Sequence, residues 1–105
     1  MQRSHPVQKL IISQLSELLS MPADEFICAH DDCGAPTYLM QLSQMATLYA
    51  KLTAGTVLDM ERIARAMTQH PQMISGPEGF DTQLMQLTEG ALVSKAGAEG
   101  IQCIG

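Results

Sequence analysis

The sequence predicts an α+β fold, mainly a helical cluster with a C-terminal antiparallel hairpin. Apolar residues recur at helical spacing in four segments, each bounded by proline, glycine or a capping residue. The stretch "LVSKAGAEGIQCIG", Leu92 to Gly105, instead reads as two short strands around a glycine-flanked turn. The chain has 105 residues, 46% of them hydrophobic, which allows one domain and no more. Aromatics are only 4% and Met numbers eight, so the expected core is aliphatic and Met-filled.

The first helix is predicted from Pro6 to about Ser20. Ser4 or His5 can cap it, Pro6 suits the first helical position, and Pro22 ends it. Val7, Leu10, Ile11, Leu15, Leu18 and Leu19 form its apolar stripe. Phe26 to Ala29 reads as a short strand, and Asp31 to Gly34 as a polar turn. A second helix is predicted from Pro36 to Leu52, with Leu39, Leu42, Ala46 and Tyr49 on one side. A third runs from Asp59, a good N-cap, to His70, with Ile63, Ala64 and Met67 inward. Pro71 to Gly79 reads as a loop. Asp81 caps a short fourth helix reaching Glu89, where Leu84 and Met85 are buried, and Gly90 suits its C-terminal end. The hairpin pairs Ala91 to Lys95 with Ile101 to Ile104. The chain shows no internal repeat, low-complexity segment or linker. It offers that hairpin few sheet neighbours, and an isolated two-stranded hairpin is marginal in water.

Charge narrows the function classes. The net charge is −5, and the six Lys and Arg are scattered, which argues against nucleic-acid binding. No apolar run approaches the roughly 20 residues that span a bilayer. "MQRSHPVQ" lacks a signal-peptide core, so the expected compartment is the cytoplasm. Three cysteines, Cys28, Cys33 and Cys103, argue against a secreted disulfide framework and leave free thiols or one or two metal ligands.

Two places can carry chemistry. In an alternating strand Lys95 shares a face with Val93 and Gly97, while Leu92, Ser94 and Ala96 share the other. An edge strand commonly carries such a lysine against aggregation. Alternatively the ammonium points into a site, where it activates a hydroxyl nucleophile or holds a carboxylate, and Gly97 lets a ligand approach the backbone. In "HDDCGAP", Cys33 lies beside Asp31 and Asp32 and close to His30, which resembles half a zinc site. With no CxxC pair, a turn with capping aspartates and a buried thiol explains the same residues. His5 and His70 read as helix-boundary residues, Asp81-Thr82 as a cap before anything functional, and Cys103 as a small core residue. The chain has no Ser-x-x-Lys, no Gly-x-Ser-x-Gly and no phosphate loop, hence no self-sufficient catalytic constellation.

In order, "SHPVQ", "DDCGAPTYLMQLSQMATLYAKL", "RIARAMTQHPQMISGPEGFDTQLMQ" and "VSKAGAEGIQCIG" resemble the L-asparaginase II family, the serine-dependent type. The likeness covers nearly the whole chain. Asp-x-Cys-Gly-x-Pro, His-Pro-Gln-Met and Lys-x-Gly-Ala-Glu-Gly are specific together, though each alone is weak. Family members are longer and look like serine β-lactamases and penicillin-binding proteins, a helical cluster on an antiparallel sheet. They hydrolyse L-asparagine to aspartate and ammonia.

The resemblance implies a role for three residues. Lys95 matches the lysine of Lys-x-Gly-Ala-Glu-Gly, the counterpart of the Lys-Thr-Gly strand motif, and is the catalytic candidate. Cys33 matches a cysteine that in some members helps to bind zinc. Asp31 matches the carboxylate beside it and stands as the substrate-binding candidate. The nucleophilic serine of the family lies in a Ser-Gly-Lys-His-like segment that these residues do not contain. Residues 1–105 are therefore expected to be a single partial domain from the later middle of the fold, inactive without its N-terminal half, which is either missing or supplied by a partner. Gly79 before "FDT" departs from the arginine that the family often has there, which bears on substrate anchoring or on the local loop. The rival expectation is a non-catalytic interaction domain that forms homo-oligomers through an open sheet edge. A third is a small metal-binding module on Cys33, Asp31 and His30.

Overall fold

A computed structural model of the chain describes residues 3–105. It is α+β: five helices and two separate antiparallel hairpins among the described residues. Two compact units divide the chain, one ending at Gln44 and the other Met45–Gly105.

In the first unit, α1 spans Pro6–Leu19. Pro6 occupies its first turn, and the His5 ring accepts from the Val7 N–H at 3.2 Å, so the expected cap is His5. The helix stops at Ser20, whose backbone is left-handed at φ 51, two residues before Pro22. The Met21 N–H closes the end on Ser16 O at 3.1 Å. The expected apolar stripe is only half covered. Leu15, Leu18 and Leu19 are half-buried, but Val7, Leu10 and Ile11 are exposed. The buried position on this helix is Gln8, 6% exposed, whose Oε1 accepts from the Tyr38 hydroxyl at 3.4 Å.

β1 (Cys28–His30) and β2 (Pro36–Tyr38) form the first hairpin, pairing Cys28 with Tyr38, Ala29 with Thr37 and His30 with Pro36. This corrects the expected second helix. Pro36 suits a first helical turn, but Thr37 and Tyr38 are strand formers, and the Asp31 turn lays them beside β1. Phe26, 2% exposed, anchors the unit and meets the Tyr38 ring edge-on at 6.0 Å. The helix begins six residues later than expected, as α2 (Leu42–Thr53). The Gln44 side chain reaches back to the Gln41 N–H at 2.8 Å, half of a capping box.

The rest of α2 opens the second unit. α3 (Leu58–Gln69) starts one residue before the expected cap, with no side-chain cap. Asp59 and Glu61 instead lie in its first turn, where their charges complement the helix dipole. The expected loop after Pro71 contains one helical turn, α4 (Gln72–Ser75). α5 (Phe80–Leu87) follows; Met85 is fully buried on it, and Gly90 closes its C-terminal end in a left-handed conformation as expected. β3 (Ser94–Ala96) and β4 (Gln102–Ile104) form the second hairpin. Its ladder continues to Val93 and Gly105, which exchange hydrogen bonds at 2.8 and 3.0 Å. Gly105 lies so close to α2 that a Cβ there would meet the Tyr49 carbonyl oxygen at 2.7 Å.

Candidate active site

β3 and β4 are joined through "GAEG". Glu99 (φ 57, ψ 29) and Gly100 (φ 78) are both left-handed, and the Ile101 N–H returns to Ala98 O at 3.3 Å. Turns of this hand match the twist of the flanking strands, and Gly100 meets the requirement without a Cβ. Gly97 is different. Its φ of −112 suits any residue, and an added Cβ would lie 3.5 Å from Ile101, an ordinary contact. Nothing within the hairpin demands glycine there.

The ladder dictates what each β3 residue faces. Val93 and Gly105 form a hydrogen-bonded pair, so Ser94–Ile104 and Ala96–Gln102 are non-hydrogen-bonded pairs and Lys95–Cys103 is bonded again. The Ala96 N–H therefore points away from β4, toward an edge where no third strand lies. Asp81 fills that place. Its Oδ2 accepts from the Ala96 N–H at 2.9 Å, and its Oδ1 from Ser94 Oγ at 2.6 Å and Gln102 Nε2 at 2.7 Å. Gln102 also reaches Ser94 Oγ at 2.9 Å. Asp81 is 1% exposed and Ser94 fully buried. Burial pushes the Asp81 carboxyl upward. The hydrogen bonds from Ser94, Ala96 and Gln102, joined by the charge of Lys95, outweigh it and hold the group below its ordinary value.

Lys95 is the intervening residue, on the face opposite Ser94. It is exposed, and its Nζ donates to the Ala96 carbonyl. Cys103, its cross-strand partner, is half-buried. Burial raises the Tyr49 hydroxyl above its ordinary value, reinforced by nearby Cys103 and Asp81 and by a hydrogen bond with Cys103.

The approach to Asp81 is braced by Thr82. Its hydroxyl lies 2.9 Å from Pro71 O and 2.6 Å from Gly76 O, while its N–H donates to Ser75 Oγ at 3.1 Å. Gly79 packs against the same serine. A Cβ at Gly79 would fall 2.1 Å from Ser75 O and 2.2 Å from Ser75 Oγ. The departure from arginine noted in the sequence thus sits where the fold leaves no room for a side chain.

Asp31 and Cys33 lie together in the β1–β2 turn of the first unit, whereas Lys95 lies in the second. Asp31 Oδ1 accepts from the Cys33 N–H at 3.0 Å and the Ala35 N–H at 2.9 Å, which is what bends the chain. The Cys33 thiol is exposed, not the buried thiol of the purely structural expectation. Among the described residues no three His, Cys, Asp or Glu side chains group closely enough to hold a metal ion. Cys33 and Asp31 do not make a zinc centre by themselves. Asp81 was visible in the sequence only as a helix cap, because its partners lie 13, 15 and 21 residues away.

The fold is that of an α+β chain whose lysine-bearing strand is pinned by a buried carboxylate. The L-asparaginase II family model matches residues 1–105, and the chain belongs to that family. None of the curated proteins searched matches it.

Proposed function

We propose that this chain supplies the lysine strand of a site that hydrolyses L-asparagine to L-aspartate and ammonia, within a larger β-lactamase-like domain. Family membership supports an asparaginase-type activity. The observation that carries the assignment to Lys95 is its setting: an exposed ammonium on a strand whose other face is pinned by buried Asp81. Gly97, which the hairpin does not require to be glycine, lies on the same face as Lys95 and leaves the backbone open to a ligand.

In this scheme a serine hydroxyl from outside residues 1–105 attacks the carboxamide carbon, and a lysine amine takes its proton. The leaving nitrogen is protonated and departs as ammonia, leaving an acyl-enzyme ester. Water then attacks the ester, and aspartate is released. Lys95 serves either in the proton transfers or as the cation that holds a carboxylate of the substrate. By family resemblance Asp31 is a substrate-binding residue and Cys33 one ligand of a zinc site completed by other residues. The isolated chain is inactive, because these residues bring no nucleophile into such a constellation.

Ammonia release from L-asparagine tests this, with the purified chain alone and mixed with a polypeptide carrying the Ser-Gly-Lys-His segment of a longer family member. Activity in the mixture only, lost in Lys95→Ala, is the expected result. The second reading is an interaction module that pairs with itself through its sheet edge. It is favoured by the two hairpins, each a two-stranded sheet with no third strand among the described residues; exposed Leu58, Met73 and Leu87 on the helices add apolar surface that self-association would cover. It gains if both samples are inactive and the chain forms a concentration-dependent oligomer. No helix among the described residues is long and apolar enough to cross a membrane. A cytoplasmic site and a lack of nucleic-acid partners belong to the same proposal.

A further inference from the structure

We propose that Asp81 is the positioning residue for Lys95: by accepting from Ser94, Ala96 and Gln102 it locks the register of β3 so that Lys95 is presented on the opposite face. This rests on the assignment of Lys95 given above. The three donors come from both strands of the hairpin, while the acceptor sits on α5. One carboxylate thereby ties α5, β3 and β4 together at a single point. The Gly-Ala-Glu-Gly turn sets the pairing, and the three-residue strand itself adds little hold on it; a slip by one residue would exchange the faces of Ser94 and Lys95. In the slipped arrangement the ammonium would lie against the Asp81 carboxylate and be withdrawn from any substrate. The observed register avoids this by filling that carboxylate with a hydroxyl, an amide side chain and a backbone N–H. Because the Ala96 N–H faces away from β4, Asp81 also replaces the third strand that the hairpin lacks.

The chemistry of the cluster makes a sharp distinction between two substitutions. In Asp81→Asn the amide oxygen still accepts from Ala96, and its NH2 meets Ser94 Oγ and a flipped Gln102 amide, so every group keeps a partner. In Asp81→Ala three donors lose their acceptor together. Hydrogen exchange at the Ala96 amide, followed by NMR on the whole chain, reads the lock directly. Asp81→Ala is expected to speed that exchange at least tenfold relative to the global unfolding rate, and Asp81→Asn by no more than about threefold. In the mixture that releases ammonia, Asp81→Ala should lower kcat at least tenfold with KM within about threefold, and Asp81→Asn should restore it. If Asp81→Ala does not fold, Gln102→Ala removes the tie to β4 alone and should speed Ala96 exchange about threefold. Unchanged Ala96 exchange in the folded variant would overturn the lock. Faster exchange with kcat unchanged would make Asp81 a structural residue only. If the wild-type mixture releases no ammonia, the catalytic assignment of Lys95 fails, while the exchange experiment still decides whether Asp81 holds the strand.

Discussion

Ser94 and Asp81 share a hydrogen bond of 2.6 Å in a place that solvent does not reach, Ser94 at 0% and Asp81 at 1% exposure. The serine belongs to β3 and the aspartate to α5, so this bond joins helix to strand. Ser94→Ala keeps the packing volume but removes one donor from a buried carboxylate. It should cost about 1–3 kcal/mol in unfolding free energy, read from urea denaturation at neutral pH. A loss below about 0.5 kcal/mol would show that Gln102 and Ala96 suffice for the carboxylate.

Acid should act on the same group. The Asp81 carboxyl is held below its ordinary value in the folded chain, whereas in the unfolded chain it returns to about 3.9. The stability it contributes is present above that unfolded value and is lost as pH falls through the folded one. Lys95 from β3 and Tyr49 from α2 are the charged or titratable neighbours that act on it or are acted on by it. Denaturation midpoints of the wild type should therefore fall below about pH 4, and those of Asp81→Asn should fall less. Parallel acid profiles would mean that other carboxylates dominate.

Residues with local signals were legible in the sequence. Pro6 and His5 marked the start of α1, Gly90 the end of α5, and the Gly-Ala-Glu-Gly turn the last hairpin. The first hairpin was half legible. Its Asp31–Gly34 turn was plain, but its second strand begins with Pro36, which equally suits a helix start, and only pairing with β1 decides between them. Asp59 illustrates the opposite error, since a good N-cap residue sits one position inside the helix. The stripe of α1 shows that apolar spacing specifies the helix and not what covers it, because Val7, Leu10 and Ile11 stay exposed. The Asp81 cluster was beyond sequence reasoning, since each of its bonds depends on α5 folding back onto the hairpin.

Gly79 provides a steric test. Its backbone, φ −68 and ψ 149, suits any residue, so an effect of Gly79→Ala must come from contact with Ser75. The added Cβ would force Ser75 away from the Thr82 N–H, at an expected cost of about 1–3 kcal/mol. Gly76→Ala is the control. Gly76 has φ +74 and ψ 177, a region that is essentially glycine-only, with nothing within 4 Å, so its cost is wholly conformational, about 1–3 kcal/mol. Chemical denaturation of both variants separates the two causes. Equal small losses would show that the loop carrying Gly79 relaxes freely.

The β1–β2 turn depends on the Asp31 side chain and on the backbone of Cys33, not on its thiol. Asp31→Ala should lower unfolding free energy by about 1–2 kcal/mol and speed exchange of the Cys33 and Ala35 amides. Cys33→Ser should leave both unchanged within about 0.5 kcal/mol, since the side chain is exposed. A Cys33→Ser variant that loosened the turn would show that the thiol has a bonding role in the first unit.

Lys95 separates function from fold most cleanly. Its side chain is exposed and bonds only to the neighbouring Ala96 carbonyl among the contacts the hairpin offers it. Lys95→Ala should thus shift the urea midpoint by the equivalent of less than about 0.5 kcal/mol. Its catalytic effect should be much larger: loss of a proton-transfer group costs about 100-fold or more in rate. Lys95→Arg divides the two roles available to the ammonium. Arginine retains a cation that can bind a carboxylate but does not give up a proton near neutral pH. Recovery of ammonia release in Lys95→Arg would assign Lys95 to holding the substrate, and inactivity in both variants, with the fold intact, would assign it to moving the proton. Full activity in Lys95→Ala would return the residue to its plainest role, a solvent-facing lysine on a short strand.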